Sequence, residues 1–373
     1  MTKVKASGLA IPAKALHGAL KTVAGVVERR STIPILSNLK LEANGTALTV
    51  TATDLDVWIT AQLDLPSPAH VSTTVCARTL AAIASKLGAG DLTATLGEGG
   101  SKMTIASGRA SFDVPVLAPE DFPSPTSQRW DAQFEMNGAE LAGLFEAVRY
   151  AVSTEETRYY LNGVFLHVRD GMLAAAATDG HRLARKLTDL PEGAGEMPAV
   201  IVPTKAVDLI IRLADGAIEP VSIRVSATRI ELEIDAMTID SKLIDGTFPD
   251  YARVIPTANG RVARVDPCLL RGAAERVAVV STDRTRAIRM DVGKGRIELA
   301  VNSPENGQGR EDLPADCSGE PLTIGFNGKY LDDVLKRSTG NELTMSFGDA
   351  AAPVLIADNG RPTVTQVIMP MRV

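Results

Sequence analysis

Apolar residues Leu16, Leu20, Val23 and Val27 follow one another at steps of four, three and four, which places them on one face of a helix from Ile11 to Val27. Pro12 is tolerated near such a start. After Arg29-Arg30 the period drops to two. Leu39 and Leu41, then Leu48 and Val50, flank Asn44-Gly45, the signature of a two-residue hairpin turn. A second unit begins at Val75: Arg78 to Leu87 reads as a short helix with Leu80, Ile83 and Leu87 inward, and Leu92 to Val116 alternates again. Leu117, Phe122 and Pro123 complete it, and Ser124-Pro125-Thr126-Ser127 has the composition of a linker.

The same order then returns. Leu141, Phe145 and Val148 lie 125 positions after Leu16, Leu20 and Val23. The spans Leu36 to Asp54 and Leu161 to Asp179 are both 18 positions long, again 125 apart. Asp170-Gly171 supplies the hairpin turn. Val202, Lys205 and Val207 follow Val75, Arg78 and Leu80 by 127, and Leu243, Phe248 and Pro249 follow Leu117, Phe122 and Pro123 by 126. After a second linker, Pro256 to Gly260, a third copy is legible. Val280-Ser281-Thr282 and Thr285-Arg286 lie 128 after their counterparts, while Asn302-Ser303 and then Phe326, Lys329 and Leu331 lie 124 after theirs. Apolar spacing alone recurs cheaply; an ordered set of anchors does not, so the chain is a triplication. The expected fold class is α+β, with domains at 1–128, 129–259 and 260–373, each carrying two helices packed on β-sheet. Three such domains in a row leave sheet edges unmatched, and a second copy joined end to end would cover them.

Charge changes the picture once it is assigned to elements. The chain carries a formal −6, which argues against a broad nucleic-acid surface. Over the six predicted helices, however, Lys and Arg exceed Asp and Glu by six, so the remainder carries −12. If those helices share one face, it attracts phosphate without reading bases; the same charges are also what solvated helix faces carry. Cys76, Cys268 and Cys317 are odd in number and widely spaced, which suggests neither a disulfide framework nor a zinc site and fits a reducing cytoplasm. No apolar run approaches the roughly 18 residues that span a bilayer, and the N-terminal stretch, broken by Pro12 and Lys14, does not read as a signal peptide.

Catalytic signatures are absent: no phosphate-binding loop, dinucleotide glycine fingerprint or paired-histidine metal helix occurs. Asp179-Gly180-His181 could orient a general base for hydrolysis, but no nucleophile or metal set accompanies it at a meaningful spacing. A plain turn, with Gly180 supplying backbone freedom, is the competing reading.

Several runs together carry a resemblance: Ile33-Pro34-Ile35-Leu36, Arg158-Tyr159-Tyr160-Leu161-Asn162-Gly163, Ala177-Thr178-Asp179-Gly180-His181-Arg182-Leu183-Ala184, Ser241-Lys242-Leu243 with Asp245-Gly246, Phe248-Pro249-Asp250-Tyr251, and Met369-Pro370-Met371-Arg372. They span essentially the full length, and the chain resembles the bacterial sliding clamps, the beta subunits of DNA polymerase III. The resemblance implies a non-catalytic processivity factor without cofactor or metal. It implies a head-to-tail homodimeric ring of six domains, helices lining the pore, around duplex DNA. Matching DNA-contacting positions are Arg30, Arg78, Lys205 and Arg158-Tyr159-Tyr160, to which the internal repeat adds Lys329.

The resemblance further implies a peptide pocket for the polymerase III catalytic subunit, the clamp loader, other polymerases and repair proteins. It would be built from Leu161, Thr178, Gly180, His181, Arg182, Leu183, Pro249, Arg253, Val254 and Val367, Ile368, Met369, Pro370, Met371, Arg372 and Val373. Such a set offers an apolar cleft with arginines at its rim; an ordinary interdomain core would look similar. For the ring joint the resemblance implies Phe112 and Val114 against Val279 and Val280, with Arg109 facing the segment that holds Glu305, Glu311 and Asp312. A peptide-binding scaffold that touches no DNA is the alternative from another class.

Overall fold

Every stretch with helical period forms a helix in the computed structural model, which describes residues 8–28, 32–87, 90–97, 99–281 and 287–373. The helices are α1 (Ala13–Val23), α2 (Ala77–Lys86), α3 (Gly138–Arg149), α4 (Thr204–Ala214), α5 (Pro267–Val277) and α6 (Gly328–Leu335). The α1 helix buries Leu16, Leu20 and Val23 as its spacing requires. It stops at Val23 rather than Val27, because Gly25 and Val26 donate to Thr22 O and Val23 O and tighten the last turn. Caps fix two of the starts. The Asp266 carboxylate accepts from the Cys268 and Leu269 N–H groups ahead of α5, and Asn327 accepts from Lys329 N–H ahead of α6.

Two compact units divide the chain: residues up to Ala139 with Asp208–Leu243, and Glu140–Val207 with Ile244–Val373. The first holds a ten-stranded sheet that runs from Gly8–Pro12 through Asp91–Leu96, Lys102–Ser107, Ala110–Leu117 and Val57–Cys76 to Met237–Lys242, Arg229–Ile234, Val221–Val225 and Ala132–Met136; Asn38–Thr53 pairs with Val57–Cys76. Its helices α1 and α2 pack on one another. The second unit holds a nine-stranded sheet, Val200–Pro203, Gly163–Arg169, Met172–Thr178, Arg182–Asp189, Val364–Ile368, Val354–Asp358, Leu343–Phe347, Arg261–Val265 and Asp316–Ser318. It also holds a four-stranded sheet, Gly307–Pro314, Arg296–Ser303, Ala287–Gly293 and Leu322–Asn327, with α5 packed on α6.

The middle copy therefore shares its strands between two sheets. Met237–Lys242 pairs antiparallel with Val57–Cys76, setting Asp240 opposite Trp58, and Arg182–Asp189 pairs antiparallel with Val364–Ile368, setting Leu183 opposite Val367. Trp58 and Leu183 are repeat equivalents, 125 positions apart. One joint is built twice.

Asp170-Gly171 is the expected turn, both residues having positive φ (53° and 73°). Asn44-Gly45 is not. The strand continues unbroken from Asn38 to Thr53, and the register shifts between Gly45 and Ala47, where Gly45 (φ 65°) absorbs a bulge. Opposite lies Leu65-Pro66-Ser67-Pro68, whose prolines cannot donate to the ladder, so the irregularity sits where pairing is already lost. The chain reverses instead at Asp54 to Asp56. Thr282, Thr285 and Arg286 of the third copy lie outside the described residues.

Candidate functional site

The second unit opens a cleft of about 290 Å³ beside the Leu183–Val367 pairing. Its floor belongs to a buried cluster of Leu161, Ala176, Leu183, Ile201, Phe248, Tyr251 and Val367. Around it stand Tyr160, Pro249, Val254 and Met369, with Arg158, Thr178, Gly180, Arg182 and Asp250 supplying the polar part. Two short 3₁₀ turns, Glu156–Leu161 and Tyr251–Val254, bring in side chains that no strand could reach. Such a concavity, mostly apolar with a few fixed polar groups, suits an apolar side chain presented on a peptide.

The turn from Thr178 to Arg182 shapes one wall. Thr178 Oγ1 accepts from Gly180 N–H (3.1 Å) and donates to Arg182 O (2.6 Å), while Asp179 Oδ1 accepts from the N–H groups of His181 (2.9 Å) and Arg182 (3.0 Å). Gly180 takes φ 88°, and a Cβ there would come within 2.5 Å of Arg158 Nη1. The first repeat copy makes the same turn. Leu55, at φ 81°, donates to Thr53 Oγ1, and Asp54 Oδ1 accepts from Asp56 and Val57.

Arg182 is 7% exposed. Its Nε donates to Asp179 Oδ2 (3.0 Å), its Nη1 to Asp333 Oδ2 (2.6 Å), and its guanidinium lies 4.5 Å from the Tyr330 ring centre and 5.3 Å from that of Tyr150. Burial alone would raise the Asp333 carboxyl, but hydrogen bonds from Arg182 and Lys329 hold it below the ordinary carboxylate value. Burial also holds the Tyr150 phenol well above its usual range, and its hydroxyl donates to Gln366 Oε1 (2.7 Å). Under the cleft, the buried His167 ring stacks on Phe165 and its Nε2 lies 3.0 Å from the Tyr251 hydroxyl; burial pushes its pKa down to about 4.

Asp179 thus spends both oxygens on backbone and guanidinium, and His181 is exposed with its ring stacked 6.2 Å from Tyr330. Neither is arranged as a general base, which removes the hydrolase reading.

Nine predicted pocket residues line the cleft: Leu161, Thr178, Gly180, Arg182, Leu183, Pro249, Val254, Val367 and Met369. Seven do not. His181 sits outside against Tyr330, and Arg253 is exposed and paired with Asp250 at 3.1 Å. Ile368, next to Val367 on a strand, points to the opposite face and is fully buried. Beyond Pro370 the chain leaves the cleft: Met371 N–H donates to Gly325 O (2.9 Å) and Val373 covers Gly325, so Met371 and Val373 lie on strand Leu322–Asn327, with Arg372 exposed between them. Tyr160 and Arg158, expected at DNA, belong to the cleft wall, and Asp250 and Tyr251 were missed there. Their run, Phe248-Pro249-Asp250-Tyr251, was the available signal; a buried tyrosine beside a buried phenylalanine reads as core.

Of the expected phosphate-contacting residues, Arg30 lies outside the described residues. Arg78 is exposed on α2, Lys205 half-buried on α4 and Lys329 exposed on α6, its Nζ 3.2 Å from Asp333 Oδ2. Tyr159 is exposed, edge-on to Tyr160, and Arg158 pairs with Glu155 at 2.8 Å.

Among the residues expected at a ring joint, Phe112 and Arg109 are exposed, while Val114 is buried in its own unit at 5% exposure. Strand Ala110–Leu117 pairs with Lys102–Ser107 on one side, and only Val116 and Leu117 pair on the other. Gly307–Pro314 ends the four-stranded sheet. There Glu311 already pairs with Arg276 (2.8 Å) rather than waiting free for Arg109. Glu305 and Val279 are exposed and Val280 is half-buried.

Comparison with known proteins matches three family models in succession: the DNA polymerase III beta subunit N-terminal domain at 8–126, central domain at 135–250 and C-terminal domain at 252–372. The chain is 42% identical to the beta sliding clamp of Caulobacter vibrioides over 98% of its length and 100% of the relative, and 33% identical to that of Escherichia coli over 95% and 96%. A crystal structure of the Bartonella birtlesii sliding clamp bound to griselimycin superposes with a TM-score of 0.95 at 37% identity, covering 98% of this chain and 100% of that one. The Pseudomonas aeruginosa clamp bound to griselimycin gives 0.94 at 33%, over 99% and 100%.

Proposed function

The chain belongs to the beta sliding clamp family of DNA polymerase III, and from that premise we infer that it is a non-catalytic processivity factor that encircles duplex DNA and tethers the replicative polymerase. The single observation that carries this is the tiling of the whole chain by the three domain models of that family. The units of function are then three clamp domains, at 1–128, 129–259 and 260–373, in a chain that closes head to tail with a second copy. The free edges of Ala110–Leu117 and Gly307–Pro314, with Phe112 and Val279 exposed nearby, support that joint.

Attraction to DNA would come from Arg30, Arg78, Lys205, Tyr159 and Lys329, through phosphates alone. A sequence-independent, salt-sensitive contact lets a ring slide, whereas base readout would pin it. Topology supplies retention and electrostatics supplies centring. The cleft around Leu161, Leu183, Val367 and Met369 would receive the short peptides of the polymerase, the clamp loader and repair proteins, and would also be where this chain takes up griselimycin. Action in the cytoplasm, beside the chromosome, agrees with three free thiols and with the absence, among the described residues, of any helix long and apolar enough to cross a membrane.

Loading on circular DNA tests the reading. The protein is placed on a circle with a clamp loader and ATP, the loader is removed, and the circle is then cut. Release only after cutting establishes topological linkage. Release from the intact circle would reject the ring, and loading that survives reversal of Arg78 and Lys205 would reject those phosphate contacts.

A further inference from the structure

We propose that Asp333 is a positioning residue of the cleft, shared between Arg182 on the cleft wall and Lys329 on α6, so that a phosphate drawing Lys329 away tightens the cleft's hold on its ligand. This rests on the reading of the cleft as a peptide site and of Lys329 as a DNA contact. Its starting point is a single atom. Asp333 Oδ2 takes Arg182 Nη1 at 2.6 Å and Lys329 Nζ at 3.2 Å.

The two donors are unequal. Arg182 is nearly buried, fixed by Asp179 and by the Tyr330 and Tyr150 rings, and has nowhere else to go. The Lys329 side chain is 68% exposed and one rotation from solvent. Asp333 borders both the cleft's Arg182 and a groove of about 690 Å³ between α5 and α6, where Lys329 also stands. A carboxylate oxygen that loses one cation interacts more strongly with the one that remains, the more so in a poorly solvated site.

A firmer Asp333–Arg182 bond fixes the Thr178–Arg182 turn, because Arg182 also holds Asp179. That turn carries Thr178, Gly180 and Leu183 into the cleft. A wall already ordered costs the ligand less to bind. By linkage, ligand in the cleft strengthens the contact of Lys329 with phosphate to the same degree. The clamp would thus bind partners more tightly on DNA than free in solution.

The test measures griselimycin affinity by calorimetry on the whole protein at low salt, with and without a short linear duplex able to thread the ring. For the unaltered protein a duplex should tighten binding about three- to tenfold, the low end of ordinary coupling between sites. Lys329→Ala should bind at the tighter value with or without duplex. Asp333→Asn should bind at the weaker value in both cases, and Asp333→Glu should restore part of the response. Opposite signs at Lys329 and Asp333 are what a merely structural role would not give. A duplex response kept in Lys329→Ala, whose exposed site cannot impair folding, overturns the inference while leaving the cleft intact. No griselimycin binding by the unaltered protein overturns the cleft reading, and the inference falls with it.

Discussion

Asp54 and Asp179 stand 125 positions apart and hold their backbones in the same way, each Oδ1 accepting the N–H groups two and three residues on. The third copy keeps a reduced form, Ser303 Oγ accepting from Asn306 N–H. What differs is the neighbour. Val57 occupies the position equivalent to Arg182, so only at Asp179 does the turn also carry a buried guanidinium.

Alanine at the two positions should therefore cost different amounts. Asp54→Ala removes turn hydrogen bonds and should destabilise by about 1 kcal/mol. Asp179→Ala also leaves Arg182 with one partner fewer in a buried site and should cost about 3 kcal/mol. Urea unfolding of both variants decides it, and equal midpoint shifts would mean that the ion pair contributes nothing beyond the turn.

Leu55 and Gly180 share a left-handed backbone, at φ 81° and 88°. A leucine is strained there by about 1–2 kcal/mol, partly offset by the greater freedom that glycine has when unfolded. Leu55→Gly should then stabilise by about 0.5–1 kcal/mol. Gly180→Ala should destabilise and displace Arg158, whose Nη1 would stand 2.5 Å from the new Cβ. Thermal denaturation of Leu55→Gly with an unchanged or lowered midpoint would rule the strain argument out.

Adjacent positions near the C-terminus separate packing from binding. Ile368 is fully buried and Met369 is 37% exposed at the cleft. Ile368→Ala should cost about 2–4 kcal/mol of stability through the cavity it leaves. Met369→Ala should leave unfolding within about 0.5 kcal/mol but weaken griselimycin binding severalfold. If both variants lose stability equally, Met369 is part of the core.

Much of this was readable from the chain, and the limits have a physical cause. Periodicity reports contacts along one element, so the six helices could be named, whereas Leu161, Leu183 and Val367 were placed at the cleft by the family resemblance alone. Repetition matched Thr178-Asp179 to Thr53-Asp54, and Gly180 marked the turn. Pairing across the chain leaves no local trace. Nothing near Arg182 announces Asp333, 151 positions away, nor does the alternation in Met237–Lys242 say that its neighbour is Val57–Cys76. Ile368 shows a related limit: a motif names a stretch, whereas the pleat decides which of its residues face the cleft.

If the ring joint uses the free edge of Ala110–Leu117, apolar contact should outweigh charge there. Phe112 is the large apolar side chain exposed there, and Val114, two residues on, is buried. Exposed ion pairs contribute about 0–1 kcal/mol, and Glu311, one of the acidic residues expected to face Arg109, is already held by Arg276. Phe112→Ala should raise the dimer dissociation constant more than about tenfold, a loss typical of an interface anchor above 1.4 kcal/mol. Arg109→Ala should change it by less than about threefold. Sedimentation equilibrium compares the two, and equal effects would sink the apolar joint.

His167 gives the protein a calculable response to acid. Burial is the main reason its pKa falls to about 4, and Arg169 and Arg185 further disfavour the charged ring. In the unfolded chain the group titrates near 6.5, so between these values the unfolded state binds more protons and stability drops as pH falls. The contribution is whole above roughly pH 6.5 and fully lost below the folded value of about 4. At pH 4.5 the loss should reach roughly 2–3 kcal/mol at 1.36 kcal/mol per unit. His167→Gln can still meet the Tyr251 hydroxyl but has no proton to gain, so its stability should fall less by that amount between pH 7 and 4.5. Parallel urea midpoints for the two proteins across that range would show that His167 titrates normally in the fold.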